Sequence, residues 1–252
     1  MFDWLFAPSC PCDPSAKEWV EERLAWLADE FDDHAFNGRR IVLPQHEFFP
    51  SHYDGSEEAV RALLDQVCEY MDVIPDLVDM ELVTGAGKLW LVNESGDDLP
   101  SAAGTYQEEY GRFLVRIDRS GLGDPMELIG TIAHELAHVR LLGEGRIMRE
   151  VFDNELLTDL TVCHFGLGIF LANVPRNWKS GDTRWPDTNL RKPEYMTPPM
   201  FGWALAHLAW FRGEQQPTWA NHLSSGARAN LKQGLRYLMA TGDSAYRPRR
   251  LR

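Results

Sequence analysis

The stretch Thr131-Ile132-Ala133-His134-Glu135-Leu136-Ala137-His138-Val139 decides how this sequence is interpreted. Its apolar residues follow the period of an amphipathic helix, in which positions i and i+4 lie one above the other. His134 and His138 therefore share one face, where two imidazoles can hold a small cation between them. Glu135 points to the side of this pair and could reach a water beside the cation without being a ligand. The stretch predicts a metal-binding helix.

The residues around the histidines favour a buried helix over an exposed one. An exposed helix face with two solvated histidines is the alternative, but most of the neighbouring positions are apolar, which is typical of a helix in a protein interior. Buried imidazoles need polar partners or a metal. The apolar neighbours are Ile129, Ile132, Ala133, Leu136, Ala137, Val139 and Leu141.

A second stretch, Asp153-Asn154-Glu155-Leu156-Leu157-Thr158-Asp159, predicts another helix with acids on an apolar background. Glu155 and Asp159 are at i and i+4, so they share one face of this helix. Carboxylates on an apolar helix are costly to bury unless they are paired or bind a metal. The two stretches together supply a donor set that neither supplies alone.

The pattern H-E-x-x-H followed by N-E-x-x-x-D resembles the gluzincin group of zinc metallopeptidases, the thermolysin-like enzymes. The resemblance implies a Zn²⁺ cofactor bound by His134, His138 and Glu155. It also implies that Asp159 accepts a hydrogen bond from His134 and that Asn154 helps to orient the ligands. A metal-bound histidine usually donates its second N–H to a carboxylate or carbonyl, which fixes the ring. The metzincin pattern does not fit, since its glycine and third histidine would fall at Leu141 and Glu144.

The resemblance implies hydrolysis of a peptide or protein substrate, with Glu135 as the general base. Such enzymes also use a hydrogen-bond donor outside the metal ligands to stabilise the developing oxyanion. We predict Tyr195 for this role, because it lies in the proline-rich segment 173–199, which is the best candidate for a loop bordering a cleft. His164 and His207 are the alternatives for this donor, although His207 lies in an apolar helical pattern typical of a core histidine.

Composition narrows the range of partners and places the protein in the cytoplasm. The net charge of −13 over 252 residues argues against nucleic acid or an anionic membrane as the main partner. No apolar run is long enough to span a bilayer, and the N-terminus has no basic region of a signal peptide. We therefore expect a bacterial-type cytoplasmic protein. The sequence makes no prediction of its oligomeric state or cleavage specificity.

The four cysteines fit a cytoplasmic location. Cys68 and Cys163 lie in apolar helical patterns and are expected to be buried thiols. Cys10 and Cys12 are expected in a turn before the first helix. An alternative role for these two is that a thiolate caps the zinc and keeps the enzyme latent.

The hydrophobic periods predict an α+β fold with a small mixed sheet and a mainly helical C-terminal lobe, and the resemblance implies that this fold is zincin-like. We predict an N-terminal lobe over residues 1–123 and the metal-binding helices with the C-terminal lobe over residues 124–252, forming one compact catalytic unit. The predicted strands are Met80–Thr84, Lys88–Asn93 and Gly111–Asp118, the first two forming a hairpin. The predicted helices are Pro14–Phe31, Glu57–Met71, one from Asp124, Asp153–Asn173 with a break or close contact at its glycines, Met200–Phe211 and Thr218–Met239.

Two other functions are compatible with the same residues. The first is a non-catalytic zinc-binding regulatory or interaction protein on a zincin scaffold. The second is a structural zinc protein without an open coordination position, which would need a fourth protein ligand such as a cysteine. The sequence favours catalysis, because Glu135 has no structural role that a glutamine could not fill.

Overall fold

A computed structural model describes residues 8–31, 38–84, 112–174 and 183–247, together with the backbone of 104–109. Contacts between residues divide the chain into two compact units. One comprises Met1–Leu43 and Glu155–Arg252, and the other comprises Pro44–Asn154. The helix that carries His134 and His138 thus belongs to the same unit as the sheet, whereas the prediction grouped it with the C-terminal helices. In the described part of the chain, no helix has the length and apolar character needed to cross a membrane.

In its described residues, the Pro44–Asn154 unit contains two α-helices and the sheet. The first helix of the chain, α1 (Pro14–Phe31), belongs to the other unit. The first helix of the Pro44–Asn154 unit is α2, Glu57–Tyr70. Helix α2 begins where Ser56 accepts a hydrogen bond from the Ala59 N–H, and its first turn is acidic, which suits the positive end of the helix dipole. Helix α3, Pro125–His138, packs against α2 and carries the two histidines. The short 3₁₀ turns of this unit are Pro75–Leu77 and Arg119–Gly121.

The sheet is mixed, as predicted, with strand order β1-β3-β2. Strand β1 (Val78–Val83) pairs parallel with β3 (Arg112–Asp118), and β2 (Gly104–Glu109) pairs antiparallel with β3. Val115 and Ile117 lie two residues apart on β3, so they share one face of the sheet, and both are buried. The prediction missed β2, and the predicted strand Lys88–Asn93 lies outside the described residues.

The unit formed by Met1–Leu43 and Glu155–Arg252 contains α1 and the helices of the C-terminal half of the chain. Helix α4 is Asn154–His164, α5 is Gly168–Asn173, α6 is Pro198–Phe211 and α7 is Ser225–Thr241, with a 3₁₀ turn at Thr218–His222. The predicted break between α4 and α5 is confirmed. Gly166 has φ 87°, and its carbonyl accepts a hydrogen bond from the Val42 N–H at 3.0 Å. A side chain there would collide with the Arg40 carbonyl, so only glycine fits.

Helices α6 and α7 approach each other closely at two glycines. A Cβ at Gly202 would lie 2.7 Å from the Asn230 carbonyl carbon and 3.0 Å from the Leu231 nitrogen. A Cβ at Gly234 on α7 would lie 3.0 Å from the Ala206 Cβ and 3.1 Å from the Trp203 ring, which is a close but less severe approach. The nearest atom to a Cβ at Gly202 would be the Asn230 Cβ, whose position the backbone fixes, and the next two are backbone atoms, so no side-chain rotation can relieve the contact.

We expect Gly202→Ala to destabilise the protein by roughly 2–3 kcal/mol, since overpacking outweighs the better helix propensity of alanine. The thermal midpoint should fall by about 5–10 °C for a unit of this size. The matched control is Gly226→Ala on α7, where a Cβ would meet no atom within 4 Å. That variant should be neutral or slightly stabilising in the same thermal scan. Equal midpoints for the two variants would show that α6 and α7 do not pack as described.

His207 on α6 is fully buried, as expected of a core histidine. Its Nδ1 lies 3.0 Å from the Trp203 carbonyl oxygen and its Nε2 lies 2.9 Å from the Ser244 hydroxyl. A carbonyl can only accept, so we assign the ring proton to Nδ1. Burial lowers the pKa of His207 to about 4, and the positive charges of Lys17 and Arg247 act in the same direction.

The buried His207 should make the fold less stable in mild acid. Below pH 6.5 the histidine of the unfolded chain is protonated, whereas the folded ring stays neutral until about pH 4. The free energy of unfolding therefore has its full value above pH 6.5 and falls as the pH drops. Urea unfolding at pH 7 and pH 5 should show a loss of about 2 kcal/mol from this residue. In His207→Gln this part of the loss should disappear. Parallel pH dependences for both proteins would contradict the neutral buried state.

Candidate metal centre

The sequence builds α3 as a buried helix with a firm beginning. Asp124 accepts hydrogen bonds from the N–H groups of Met126 (2.9 Å) and Glu127 (3.2 Å), and Pro125 occupies the first turn, where no N–H is needed. Every residue from Leu128 to Val139 is buried. The helix continues into a π-helical turn, Val139–Gly143. The predicted buried helix is therefore confirmed, and its histidines lie away from solvent.

His134 and His138 lie next to each other on α3. Their exposed fractions are 1% and 8%, their ring centroids are 4.9 Å apart and the ring planes are perpendicular, at 88°. Glu135, which follows His134 on the same helix, is only 4% exposed. Two imidazoles and a carboxylate within one turn of an apolar helix are a costly arrangement unless they serve polar or metal chemistry.

Glu155 completes a group of three possible ligands. One ligand atom from each of His134, His138 and Glu155 lies within 4.8 Å of the other two. Ligands held tetrahedrally at about 2.0–2.2 Å from zinc are roughly 3.3–3.6 Å apart, so movements of about 1 Å would close the group around an ion. Two nitrogens and one carboxylate oxygen also suit zinc chemically. Among the described residues, these three side chains form the cluster of histidine, cysteine and acidic residues that is compact enough to hold a metal ion.

Cys10 and Cys12 are not members of this group of ligands. The two thiols instead hydrogen-bond to each other, which lowers the pKa of Cys10 and raises the pKa of Cys12. All four cysteines are thiols, and Cys68 and Cys163 are buried as predicted. Burial raises the pKa of Cys68 to about 12. The alternative of a cysteine cap on the metal finds no support in this geometry.

Asp159 ties a second segment to α4. Its Oδ2 accepts a hydrogen bond from the Met196 N–H at 2.9 Å, with both groups buried. Asp159 lies one helical turn after Glu155, so this bond holds the segment around Tyr195 against the first turns of α4. Tyr195 itself is 6% exposed. The predicted hydrogen bond from His134 to Asp159 and the predicted orienting role of Asn154 stay predictions.

Glu194 is a residue of this region that the sequence analysis missed. It is half-buried, and burial raises the pKa of its carboxyl, with a further upward contribution from the negative charge of Glu155 and an opposing one from Lys192. The carboxylates of Glu194 and Glu155 are therefore close enough to repel each other. A cation held by Glu155 would relieve that repulsion. In the sequence, Glu194 could have been noticed because it directly precedes Tyr195.

His164 is the least suited of the predicted catalytic residues. It is the last residue of α4, which is 11 residues long, whereas Glu155 is the second, so about 13 Å of helix separates them. The buried ring packs against Phe31 and Phe165, at centroid distances of 5.7 and 5.5 Å. His164 is therefore a core histidine that packs among aromatic side chains.

Comparisons with protein-family models, with curated proteins and with solved structures find no match. The interpretation of this site therefore depends on its own residues. Those residues are two buried imidazoles, a converging carboxylate and a second carboxylate on the histidine helix.

Proposed function

We propose that this protein is a zinc-dependent metallopeptidase that hydrolyses peptide bonds in a peptide or protein substrate. The observation that supports the proposal is the convergence of His134, His138 and Glu155, with Glu135 on the same helix as the two histidines. The α+β architecture, with its small mixed sheet in the same unit as α3, supports a zincin-like fold of the gluzincin type.

The number of ligands supports a catalytic zinc rather than a structural one. Structural zinc sites are usually closed by four protein ligands, often cysteines, whereas catalytic sites use three and leave one position for water or substrate. The group around His134 has three members among the described residues. A site made of oxygen ligands alone would favour magnesium or calcium instead.

The residues of α3 and α4 have distinct roles in this proposal. Zinc, when bound, supplies Lewis acidity that polarises a substrate carbonyl and makes water a better nucleophile at neutral pH. His134, His138 and Glu155 hold the ion. Glu135 accepts the proton of the attacking water and delivers it to the leaving nitrogen. This role needs a carboxylate, because a glutamine amide at the same place cannot take the proton.

Tyr195 is our candidate for the residue that donates a hydrogen bond to the developing oxyanion. The bond from Met196 to Asp159 keeps the Tyr195 segment in place next to α4, which is the kind of support a positioned donor requires. We place Tyr195 ahead of His164, since His164 lies at the far end of α4.

The charge and cysteine content support the remaining parts of the proposal. A net charge of −13 disfavours nucleic acid and anionic membranes as partners. Four thiols without a disulfide fit a cytoplasmic location. Strands β1 and β2 are the outer members of the described sheet, so an extended substrate could pair with one of their edges.

The test is hydrolysis of a peptide mixture. Purified protein loaded with one equivalent of zinc is incubated with peptides from a digested proteome, and new termini are identified by mass spectrometry. We expect new termini that disappear after chelation and return when zinc is restored. Zinc-loaded protein that produces no new termini from peptides or unfolded proteins would overturn the peptidase proposal and favour the non-catalytic zinc-binding protein.

A further inference from the structure

A groove runs along helix α7, and its described lining residues do not include His134, His138 or Glu155. Its volume is about 1040 Å³, and it lies between α7, the segment 215–221 and Pro8 near the N-terminus. Leu231, Leu235 and Met239 form its floor, since they are spaced by one helical turn and share a face. Leu231 and Leu235 are buried, whereas Met239 is 40% exposed. Met239 is therefore the part of this apolar stripe that a ligand can reach most readily.

The rim of the groove is basic. Arg228, Lys232 and Arg236 follow each other at one-turn intervals on α7, alongside the apolar stripe. Among the described residues that line the groove there is no aspartate or glutamate. On a chain with a net charge of −13, three cations without an acid among these residues are a marked local reversal of charge.

Arg228 differs from Lys232 and Arg236 in its surroundings. Arg228 is fixed, because its Nη2 donates to the carbonyls of Asn221 (3.0 Å) and Leu223 (2.8 Å). Lys232 and Arg236 are exposed to solvent. Their charges can therefore meet a partner without breaking an internal bond that the structure shows.

The dimensions fit a short peptide segment. From Arg228 to Ala240 the helix rises about 18 Å. An extended chain advances about 3.3 Å per residue, so five or six residues span the groove. Aromatic or aliphatic side chains would cover the floor, and aspartate or glutamate side chains would reach the basic rim. A nucleic-acid backbone would meet the rim but would leave the apolar floor unused.

We infer that the groove along α7 binds an extended segment of another protein that combines apolar and acidic side chains. The inference does not depend on the metal centre or on peptidase activity. It rests on the charge complementarity of the rim, the apolar stripe of the floor and the length of the groove.

The test compares two labelled peptides by fluorescence anisotropy. The probe Ac-EFDWEL carries acids and aromatic side chains, and Ac-KFKWKL carries the same aromatic residues with lysines. At low salt we expect the acidic probe to bind roughly tenfold more tightly than the basic one. The double variant Lys232→Glu/Arg236→Glu should reverse this preference, and Met239→Gln, which removes the exposed apolar contact without adding charge, should weaken both probes.

The control is Arg149→Glu, an exposed charge reversal outside the groove, compared with the single variant Arg236→Glu. Only Arg236→Glu should weaken the acidic probe, and thermal scans check that both variants are folded. Equal binding of the two probes, or a preference that survives the double reversal, would overturn the inference. Binding that becomes tenfold tighter when residues 1–7 are deleted would identify the chain itself as the occupant and would also overturn it.

Discussion

Glu135→Gln should abolish peptide hydrolysis while leaving metal binding intact. Removal of a general base typically lowers a rate by about 10²–10⁴-fold, and the amide has the same shape but cannot accept the proton of water. Glu135 is 4% exposed on the helix that carries both histidines, so the substitution changes the chemistry with little change in packing. The measurement is the rate of a cleavage identified in the peptide mixture, at matched zinc content.

The matched control for this prediction is Glu127→Gln. Glu127 lies in the first turn of the same helix and is exposed, so the variant makes the same chemical change far from the histidines. It should keep full activity. A Glu135→Gln protein that binds zinc and cleaves at the wild-type rate would remove Glu135 from the mechanism and would leave the enzyme hypothesis without its base.

Glu155→Ala should lose most of the affinity for zinc. Loss of an outer partner of a metal ligand usually costs about 10–100-fold in affinity, so loss of the ligand itself should cost more than 100-fold. Competition with a chromophoric chelator measures the affinity directly. Glu150→Ala is the control, because Glu150 is an exposed acid in the same stretch of chain. Equal zinc affinities for the two variants would show that Glu155 is not a ligand.

The local features of the fold could be predicted from the sequence because they depend on neighbouring residues. The beginnings of α1 at Pro14 and of α3 at Asp124 were predicted from the sequence, and glycines predicted the break after α4. Each of these signals is a cap or a backbone requirement that acts within one turn. The same is true of His134 and His138, whose shared face follows from helical spacing alone.

The remaining features depend on contacts between distant parts of the chain. Strand β2 carries no clear apolar alternation, and its place beside β3 is set by pairing rather than by its own residues. Glu194 lies near Glu155 because the chain returns to α4 through the bond between Met196 and Asp159. The basic groove on α7 likewise needs the segment 215–221 as its second wall. Such neighbours have no fixed spacing in sequence.

The arrangement of His134, His138 and Glu155 around one ion is the central claim, and X-ray absorption at the zinc edge tests it most directly. The purified protein with one equivalent of zinc should show nitrogen and oxygen ligands at about 2.0–2.2 Å, with the scattering pattern of two imidazoles. A spectrum that fits two histidine ligands and no sulfur ligand would support binding by His134, His138 and Glu155. A sulfur ligand at about 2.3 Å, or a protein that takes up no zinc, would contradict it.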